Sequence, residues 1–167
     1  MLHKQDHYEG FFYPLDAVGA WNRIYGKRGF YQFQSVIPDA GAAVGMRRML
    51  EAISDARAGS FLAVLKTLGG EGRGHLSFPM RGYTLALDFP RRDGVEELLA
   101  RLAAISLDHG GRVYLAKDAV LDAESFARMY PKLGEFRDVL DSIDPKRRMQ
   151  SDMARRLNIR GSNGVPS

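Results

Sequence analysis

Side chains that could bind a ligand carrying hydroxyl groups recur at alternate positions of several strand-like segments. Amide, hydroxyl, phenol and ammonium groups can each hydrogen-bond to a hydroxyl group, and alanine leaves room beside them. Alternate residues of a strand point to one face of a sheet, so these residues are predicted to share a face: Gln32, Gln34, Lys66, Thr84, Ala86 and Tyr114. The pattern fits a substrate pocket and an ordinary solvated sheet face equally well.

A further cation stands at the predicted end of the last of these segments. Within GGRVYLAKDA, residues 110–119, Lys117 follows Tyr114, Leu115 and Ala116. The ammonium group is either a solvated strand end or a charge directed into a site, and the local pattern leaves both interpretations open.

The order of the predicted elements indicates how these side chains are positioned. Strands are predicted over 30–37, 61–66 and 83–89, and a fourth lies within 110–119. Between them, apolar residues at helical spacing predict one helix capped by Asp39 and a second that starts at an Asp93–Glu96 capping box. This β-α-β-β-α-β order predicts an α+β fold, a ferredoxin-like antiparallel sheet with helices on one face, plus C-terminal helices.

The chain divides into four predicted regions. Residues 1–29 form an irregular aromatic arm with a short helix near 17–25, and residues 30–119 form the ferredoxin-like domain. Residues 120–157 form a C-terminal helical extension, and residues 158–167 a flexible tail.

Composition narrows the possible classes of protein. The chain has 167 residues, 45% of them hydrophobic, so it can build a real core, and with no cysteine it forms neither disulfides nor thiolate metal sites. No apolar run is long enough to span a bilayer, so we expect a cytoplasmic protein, with membrane association left open for a longer polypeptide. The net charge of +4 collects mainly in 146–160, where a solvated helix face is favoured over a nucleic-acid stripe.

Other chemistries are disfavoured by spacing. His3 and His7 lack a third ligand, so no metal site is predicted, and GGEGRG lacks the Lys-Ser/Thr ending of a phosphate loop. No serine elbow, His-Glu-x-x-His or paired-carboxylate pattern supports hydrolysis. The stretch KRGFYQF half-resembles an RNA-contacting motif but opens the first strand instead of lying on the third, so we predict no nucleic-acid partner.

Longer blocks of sequence resemble a known family. They occur in the order FFYPLDAVGAWNRIYGKRGFYQFQ, FLAVLKTLG, LSFPMRGYTLALDFP and GGRVYLAKDA. Together they are similar to the C-terminal half of FAD-linked oxidases of the vanillyl-alcohol-oxidase type. Within that family they look most like the branch of decaprenylphosphoryl-β-D-ribose 2′-oxidases and aldonolactone oxidases, and the resemblance covers roughly residues 11–157.

The resemblance implies a substrate domain whose sheet lies over the flavin ring. It also implies that FAD is bound mainly by an N-terminal domain that this chain does not contain. We therefore expect the chain to be part of a longer oxidoreductase, inactive alone, whose partners are that domain and a sugar or polyol substrate. The alternative is a stand-alone ferredoxin-like binding or interaction module without catalysis. Self-association of the exposed face is also possible.

The resemblance also implies roles for individual residues. Gln32 and Gln34 match a glutamine pair that lines the substrate pocket, and Lys66 matches a pocket lysine. Tyr114 and Lys117 match a tyrosine and a lysine beside flavin and substrate.

Two predicted pocket residues depart from the family pattern. Thr84 and Ala86 stand where the resemblance to the decaprenylphosphoryl-β-D-ribose 2′-oxidase branch implies asparagine and cysteine, which leaves the particular substrate open. Oxidation of a hydroxyl to a carbonyl would use Lys117 either to stabilise negative charge on the flavin or to take the hydroxyl proton.

In an idealised sheet the side chains of Lys66 and Lys117 lie at opposite ends of the sheet. One substrate therefore reaches both only if the sheet is strongly twisted or one lysine bends back.

Overall fold

The computed structural model describes residues 7–13, 17 and 19–161. Its strands are β1 (Phe30–Pro38), β2 (Ala63–Leu68), β3 (Gly82–Pro90) and β4 (Arg112–Val113). Its α-helices are α1 (Tyr8–Phe12), α2 (Asp39–Asp55), α3 (Val95–Asp108), α4 (Ala123–Met129), α5 (Leu133–Ile143) and α6 (Asp152–Arg156). Short 3-10 helices cover Trp21–Tyr25 and Leu115–Lys117.

The strands form one antiparallel sheet in the order β2-β3-β1-β4. α2 connects β1 to β2 and α3 connects β3 to β4, and in each case one strand lies between the two that the helix joins. The predicted α+β fold, an antiparallel sheet with packed helices and further C-terminal helices, is confirmed. No helix in the described part of the chain is both long and apolar enough to cross a membrane.

The core lies between the sheet and α2 and α3. From β1 and β3 it receives Phe33, Ile37, Leu85, Leu87 and Phe89, which alternate with the residues of the opposite face. Met49 of α2 and Leu102 of α3 are fully buried against them. The alternation predicted from the sequence therefore assigns the two faces of β1 and β3 correctly.

The fourth strand is much shorter than predicted. Tyr114 still donates its backbone N–H to the Gln34 carbonyl at 2.8 Å, but the Lys117 N–H then turns back to the Tyr114 carbonyl at 2.9 Å. The Asp118 carboxylate accepts the backbone N–H groups of Val120 and Leu121, at 3.1 and 2.9 Å, and so redirects the chain. Lys117 therefore lies in a 3-10 turn that follows β4, and it is not the last residue of a strand.

Both predicted helix caps are wrong. Asp39 lies inside the first turn of α2, where its carboxylate accepts Arg81 Nε at 2.9 Å. α3 starts after Gly94, whose φ of 82° favours glycine, and no side chain caps it. Glu96, the predicted partner in the capping box, instead accepts the Tyr31 hydroxyl.

The C-terminal helices pack into the same core. Phe126, Met129 and Tyr130 are buried, and the Tyr130 hydroxyl donates to the Val113 carbonyl at 2.6 Å. This bond fixes the chain after α4 to the edge strand β4. The helical extension and the sheet thus share one hydrophobic cluster.

The first residues of the predicted tail are held in place. Arg137 of α5 donates to the carbonyls of Asn158 and Ile159 at 2.8 and 2.9 Å, and Arg160 is buried against Asp144. Residues 162–167 lie outside the described residues, as do His3 and part of the predicted arm helix.

The Asp144 cluster predicts a pH-dependent contribution to stability. Backbone N–H groups of Met149 and Arg148, reinforced by Arg160, hold the pKa of Asp144 below its ordinary value. A depressed folded-state pKa stabilises the fold above the unfolded pKa, and this contribution is lost as pH falls through the folded pKa. Asp144→Asn should therefore destabilise the chain most at neutral pH, with a difference from the unmodified chain that shrinks below about pH 4.

Urea unfolding from neutral pH down to about pH 3 checks this prediction. The exposed Asp138, within α5 and six residues before Asp144, provides the matched Asp→Asn control, which should stay close to the unmodified chain throughout. A penalty for Asp144→Asn that is independent of pH would contradict the assigned role of the carboxylate.

Candidate functional site

The sheet face opposite α2 and α3, hereafter the open face, brings the central predicted residues together. The strand register places Gln34 beside Ala86, and Thr84 beside Lys66. Gln34 Nε2 donates to Thr84 Oγ1 at 3.0 Å, so the amide and the hydroxyl form one polar pair. Gln34 is half-buried, whereas Thr84 and Ala86 are buried. Among the described residues, neither the Gln34 side-chain carbonyl oxygen nor the Thr84 hydroxyl proton has another hydrogen-bond partner.

Gln32 belongs to a second polar group on the open face. Its Nε2 donates to Asp88 Oδ1 at 3.0 Å, and the Tyr25 hydroxyl donates to Asp88 Oδ2 at 3.1 Å. Asp88 and Tyr25 are both buried. Burial, followed by the hydrogen bond to Asp88, raises the pKa of Tyr25 to about 12, so the phenol remains a donor at neutral pH.

Sequence reasoning missed Asp88 and Tyr25 as site residues. Asp88 has the same strand parity as Thr84 and Ala86, which was the available signal. Tyr25 lies in an irregular segment without periodicity, and no sequence pattern places its ring against Phe30, where the two stack with centroids 4.3 Å apart.

Tyr114 and Lys117 lie at the β4 edge of the open face. The half-buried Tyr114 ring packs on Phe78, with centroids 4.7 Å apart. The partly buried Lys117 ammonium makes no hydrogen bond or ion pair within residues 7–13, 17 and 19–161. The neighbouring Asp118 carboxylate does not neutralise it, because Asp118 pairs with Arg156 at 2.8 Å.

The two predicted lysines lie at opposite edges of the sheet. Lys66 is on β2, whereas Lys117 follows β4, and β3 and β1 lie between them. Neighbouring strands are about 4.8 Å apart, so the two backbone positions are separated by roughly 14 Å across the strands. The structure therefore joins Gln34, Thr84 and Ala86 in one place and leaves Lys66 and Lys117 on either side of them.

The connection between β2 and β3 folds over one end of the site. β2 and β3 are antiparallel neighbours, so this connection closes a hairpin. Arg112, which is 9% exposed, donates to the Ser77 carbonyl at 3.0 Å and to Glu71 at 3.2 Å. These bonds hold the segment that carries Phe78 against Tyr114. Sequence reasoning also missed Arg112, because its partners lie more than thirty residues away along the chain.

The group of side chains at the β4 edge fits the predicted flavin contact. The edge of a flavin ring that carries its carbonyl oxygens gains negative charge on reduction, and a fixed cation with a phenol donor stabilises such charge. Lys117 and Tyr114 are the residues predicted to form such a pair, and the nearest carboxylate in sequence, Asp118, is already bound to Arg156. The described residues contain no group of three or more side chains placed to hold a metal ion.

Comparisons with known proteins place the chain in a class. Residues 87–157 match the family model described as D-arabinono-1,4-lactone oxidase. Together with the relatives below, this match confirms the resemblance found in the sequence: the chain corresponds to the C-terminal domain of an FAD-linked oxidase of this branch.

Two curated relatives make the assignment more specific. The chain is 40% identical over 149 residues to the decaprenylphosphoryl-β-D-ribose oxidase of Mycolicibacterium smegmatis, a match that spans 89% of this chain and 32% of that protein. It is 36% identical over 115 residues to an uncharacterized Streptomyces coelicolor protein from the mprA 5′ region, covering 68% and 31% of the two chains. The chain thus spans about a third of the length of the curated relatives it matches.

Proposed function

We propose that this chain is the substrate-binding part of an FAD-dependent oxidoreductase that oxidises a hydroxyl group of a sugar, lactone or related polyol. The observation that carries the proposal is the open face itself. It presents the Gln34–Thr84 pair at its centre, and at its edge it presents Tyr114 and a Lys117 that forms no ion pair with the part of the chain that the structure describes. The FAD-binding domain is a separate part of the same enzyme, and without it the chain is inactive. The absence of cysteine suits the cytoplasm.

Substrate binding is assigned to the centre of the open face. The Gln34 carbonyl oxygen accepts a hydrogen bond from a substrate hydroxyl, and the Thr84 hydroxyl, which accepts from Gln34, can donate to a second oxygen. Gln32 extends this polar surface along β1, and Lys66 contacts the far end of an elongated substrate from the β2 edge. The side chain of the buried Ala86 is small, so it leaves room for a substrate at the centre of the face.

Charge stabilisation is assigned to the β4 edge. When bound, FAD supplies the two-electron acceptor for converting a hydroxyl-bearing carbon to a carbonyl. Lys117 contributes a fixed positive charge where negative charge develops, and Tyr114 orients the same edge by a hydrogen bond. The alternative role for Lys117 is to accept the proton of the substrate hydroxyl. We assign charge stabilisation, because no neighbouring group in the described chain prepares this ammonium group to act as a base.

Flavin content and product formation test the proposal. The longest polypeptide that the reading frame encodes should purify yellow and convert a hydroxylated sugar or lactone to a carbonyl product, whereas the 167-residue chain alone should purify colourless. A long polypeptide that binds no flavin would overturn the proposal and favour a binding module without catalysis.

A further inference from the structure

Asp88 is a buried carboxylate on the open face that makes no contact with a cation among residues 7–13, 17 and 19–161. Its side chain is bound by a neutral amide, Gln32, and a neutral phenol, Tyr25, and it makes no ion pair with any described residue. Buried carboxylates are costly unless paired, and most occur beside a cation or a metal. A carboxylate held only by neutral donors therefore needs an explanation beyond stability.

The position of Asp88 points to ligand binding. It lies two residues beyond Ala86 on β3, roughly 7 Å along the strand from the centre of the predicted pocket. It shares the open face with Gln34 and Thr84. Ionised carboxylates are strong acceptors for hydroxyl groups, since charge-assisted hydrogen bonds are about twice as strong as neutral ones.

In the ligand-free chain, the group that donates a hydrogen bond to Asp88 Oδ2 is itself a hydroxyl group. The Tyr25 phenol reaches Asp88 from the 3-10 helix that precedes β1 and is not part of the sheet. Its ring stacks on Phe30 and meets Phe61 edge-on at 5.7 Å, which holds it over this part of the face. Gly26, with a φ of 77°, follows directly and provides a backbone turn at the base of the segment.

We propose that Asp88 is a hydroxyl-binding residue of the substrate site, and that Tyr25 occupies it in the ligand-free chain in place of a polyol hydroxyl. This assignment rests on the proposed function and specifies it. The substrate is a molecule with at least two hydroxyl groups, one for the Gln34–Thr84 pair and one for Asp88. The polyol displaces the phenol from Asp88, and Gln32 keeps its bond to the other carboxylate oxygen.

A binding experiment on the 167-residue chain separates this role from a purely structural one. The probe is D-arabinono-1,4-lactone, with the hydroxyl-free γ-butyrolactone as its control ligand, and the readout is the Kd from NMR titration. Tyr25→Phe keeps the ring but removes the competing hydroxyl, so we expect the arabinonolactone Kd to fall about tenfold. Adding Asp88→Asn to Tyr25→Phe should raise it again by about tenfold.

The binding experiment has a control variant and a control ligand. In the Tyr25→Phe background, Asp93→Asn changes an exposed carboxylate and should leave the Kd unchanged, and γ-butyrolactone should not respond to Asp88→Asn. If Asp88 only anchors the 3-10 segment, Asp88→Asn will leave the Kd of Tyr25→Phe unaltered, and the inference is overturned.

The side-chain amide signals of the two glutamines provide a second readout that needs no Asp88 variant. The Gln32 amide is bonded to Asp88, so its signal should shift when the lactone binds to the Tyr25→Phe chain. A shift at Gln34 without a shift at Gln32 contradicts the role of Asp88 and leaves the proposed substrate face intact. No shift at either glutamine contradicts both.

Discussion

Changing Lys117 to methionine in the flavin-containing polypeptide is expected to slow oxidation of the substrate by about 100-fold or more. Methionine keeps the length of the side chain and removes the charge. Loss of one preorganised charge-stabilising group usually costs two to three orders of magnitude in kcat, roughly 3–4 kcal/mol. Because the group acts on developing charge, kcat should fall much more than KM rises. Stopped-flow measurement of flavin reduction isolates the affected step.

Two further variants separate charge stabilisation by Lys117 from proton transfer and from a general effect of losing a lysine. Lys132→Met removes an exposed lysine from the start of α5, outside the open face, and should leave the rate unchanged. Lys117→Arg keeps a permanent positive charge but cannot act as a base near neutral pH. A rate for Lys117→Arg within about tenfold of the unmodified enzyme supports charge stabilisation. A rate as low as that of Lys117→Met supports proton transfer, and an unchanged rate in Lys117→Met contradicts both roles.

Truncating Phe126 to alanine is expected to lower the free energy of unfolding by about 3–5 kcal/mol. Phe126 of α4 has no exposed surface, and its ring lies 5.2 Å from that of Tyr130, which binds the β4 backbone. The truncation therefore leaves a cavity where the helical extension meets the sheet. Urea unfolding followed by circular dichroism gives the difference.

The control for Phe126 is an exposed apolar residue of the same extension. Val139→Ala on α5 removes a side chain of a residue that is 45% exposed, so its effect should stay below about 1 kcal/mol. Two separate unfolding transitions in the unmodified chain would contradict the shared core, because they would show that residues 120–157 unfold independently of the sheet.

The sequence predicted most of the sheet because alternation and helical spacing are local signals. Phe33 and Ile37 alternate with Gln32 and Gln34, and this period alone separates the core face from the open face. The end of β4 was not predictable in the same way. The turn that removes Lys117 from the sheet depends on Asp118 binding backbone groups beyond it, and residues 112–116 fit a longer strand equally well.

The parts of the site that escaped prediction depend on contacts between distant residues. Tyr25 and Asp88 are 63 positions apart, and Arg112 reaches Glu71 across 41. Neither pair has a spacing that a periodic pattern can reveal. The arginine at 160 illustrates the same limit, because only the folded chain brings it to Asp144 and fixes residues that resemble a loose tail.

The roles of Gln32, Gln34, Lys66, Thr84, Ala86, Tyr114 and Lys117 remain predictions that the structure makes specific. The structure shows a bonded pair at Gln34 and Thr84, a buried carboxylate beside Gln32, and two lysines on opposite edges. A substrate that reaches both edges must be elongated, whereas a compact sugar or lactone can contact only the centre and one edge. Separate variants of Lys66 and Lys117 therefore report on different parts of the ligand.

Anaerobic reduction of the bound flavin shows whether the enzyme transfers electrons from a substrate hydroxyl to FAD. The longest encoded polypeptide is mixed without oxygen with D-arabinono-1,4-lactone, with other hydroxylated sugars, and with γ-butyrolactone. At least one hydroxylated compound should bleach the visible absorbance of the flavin and yield one carbonyl product per flavin, while γ-butyrolactone should do neither. A flavin that stays oxidised with every hydroxylated compound, in a protein that binds them at the open face, would show that the enzyme does not oxidise hydroxyl groups of this class.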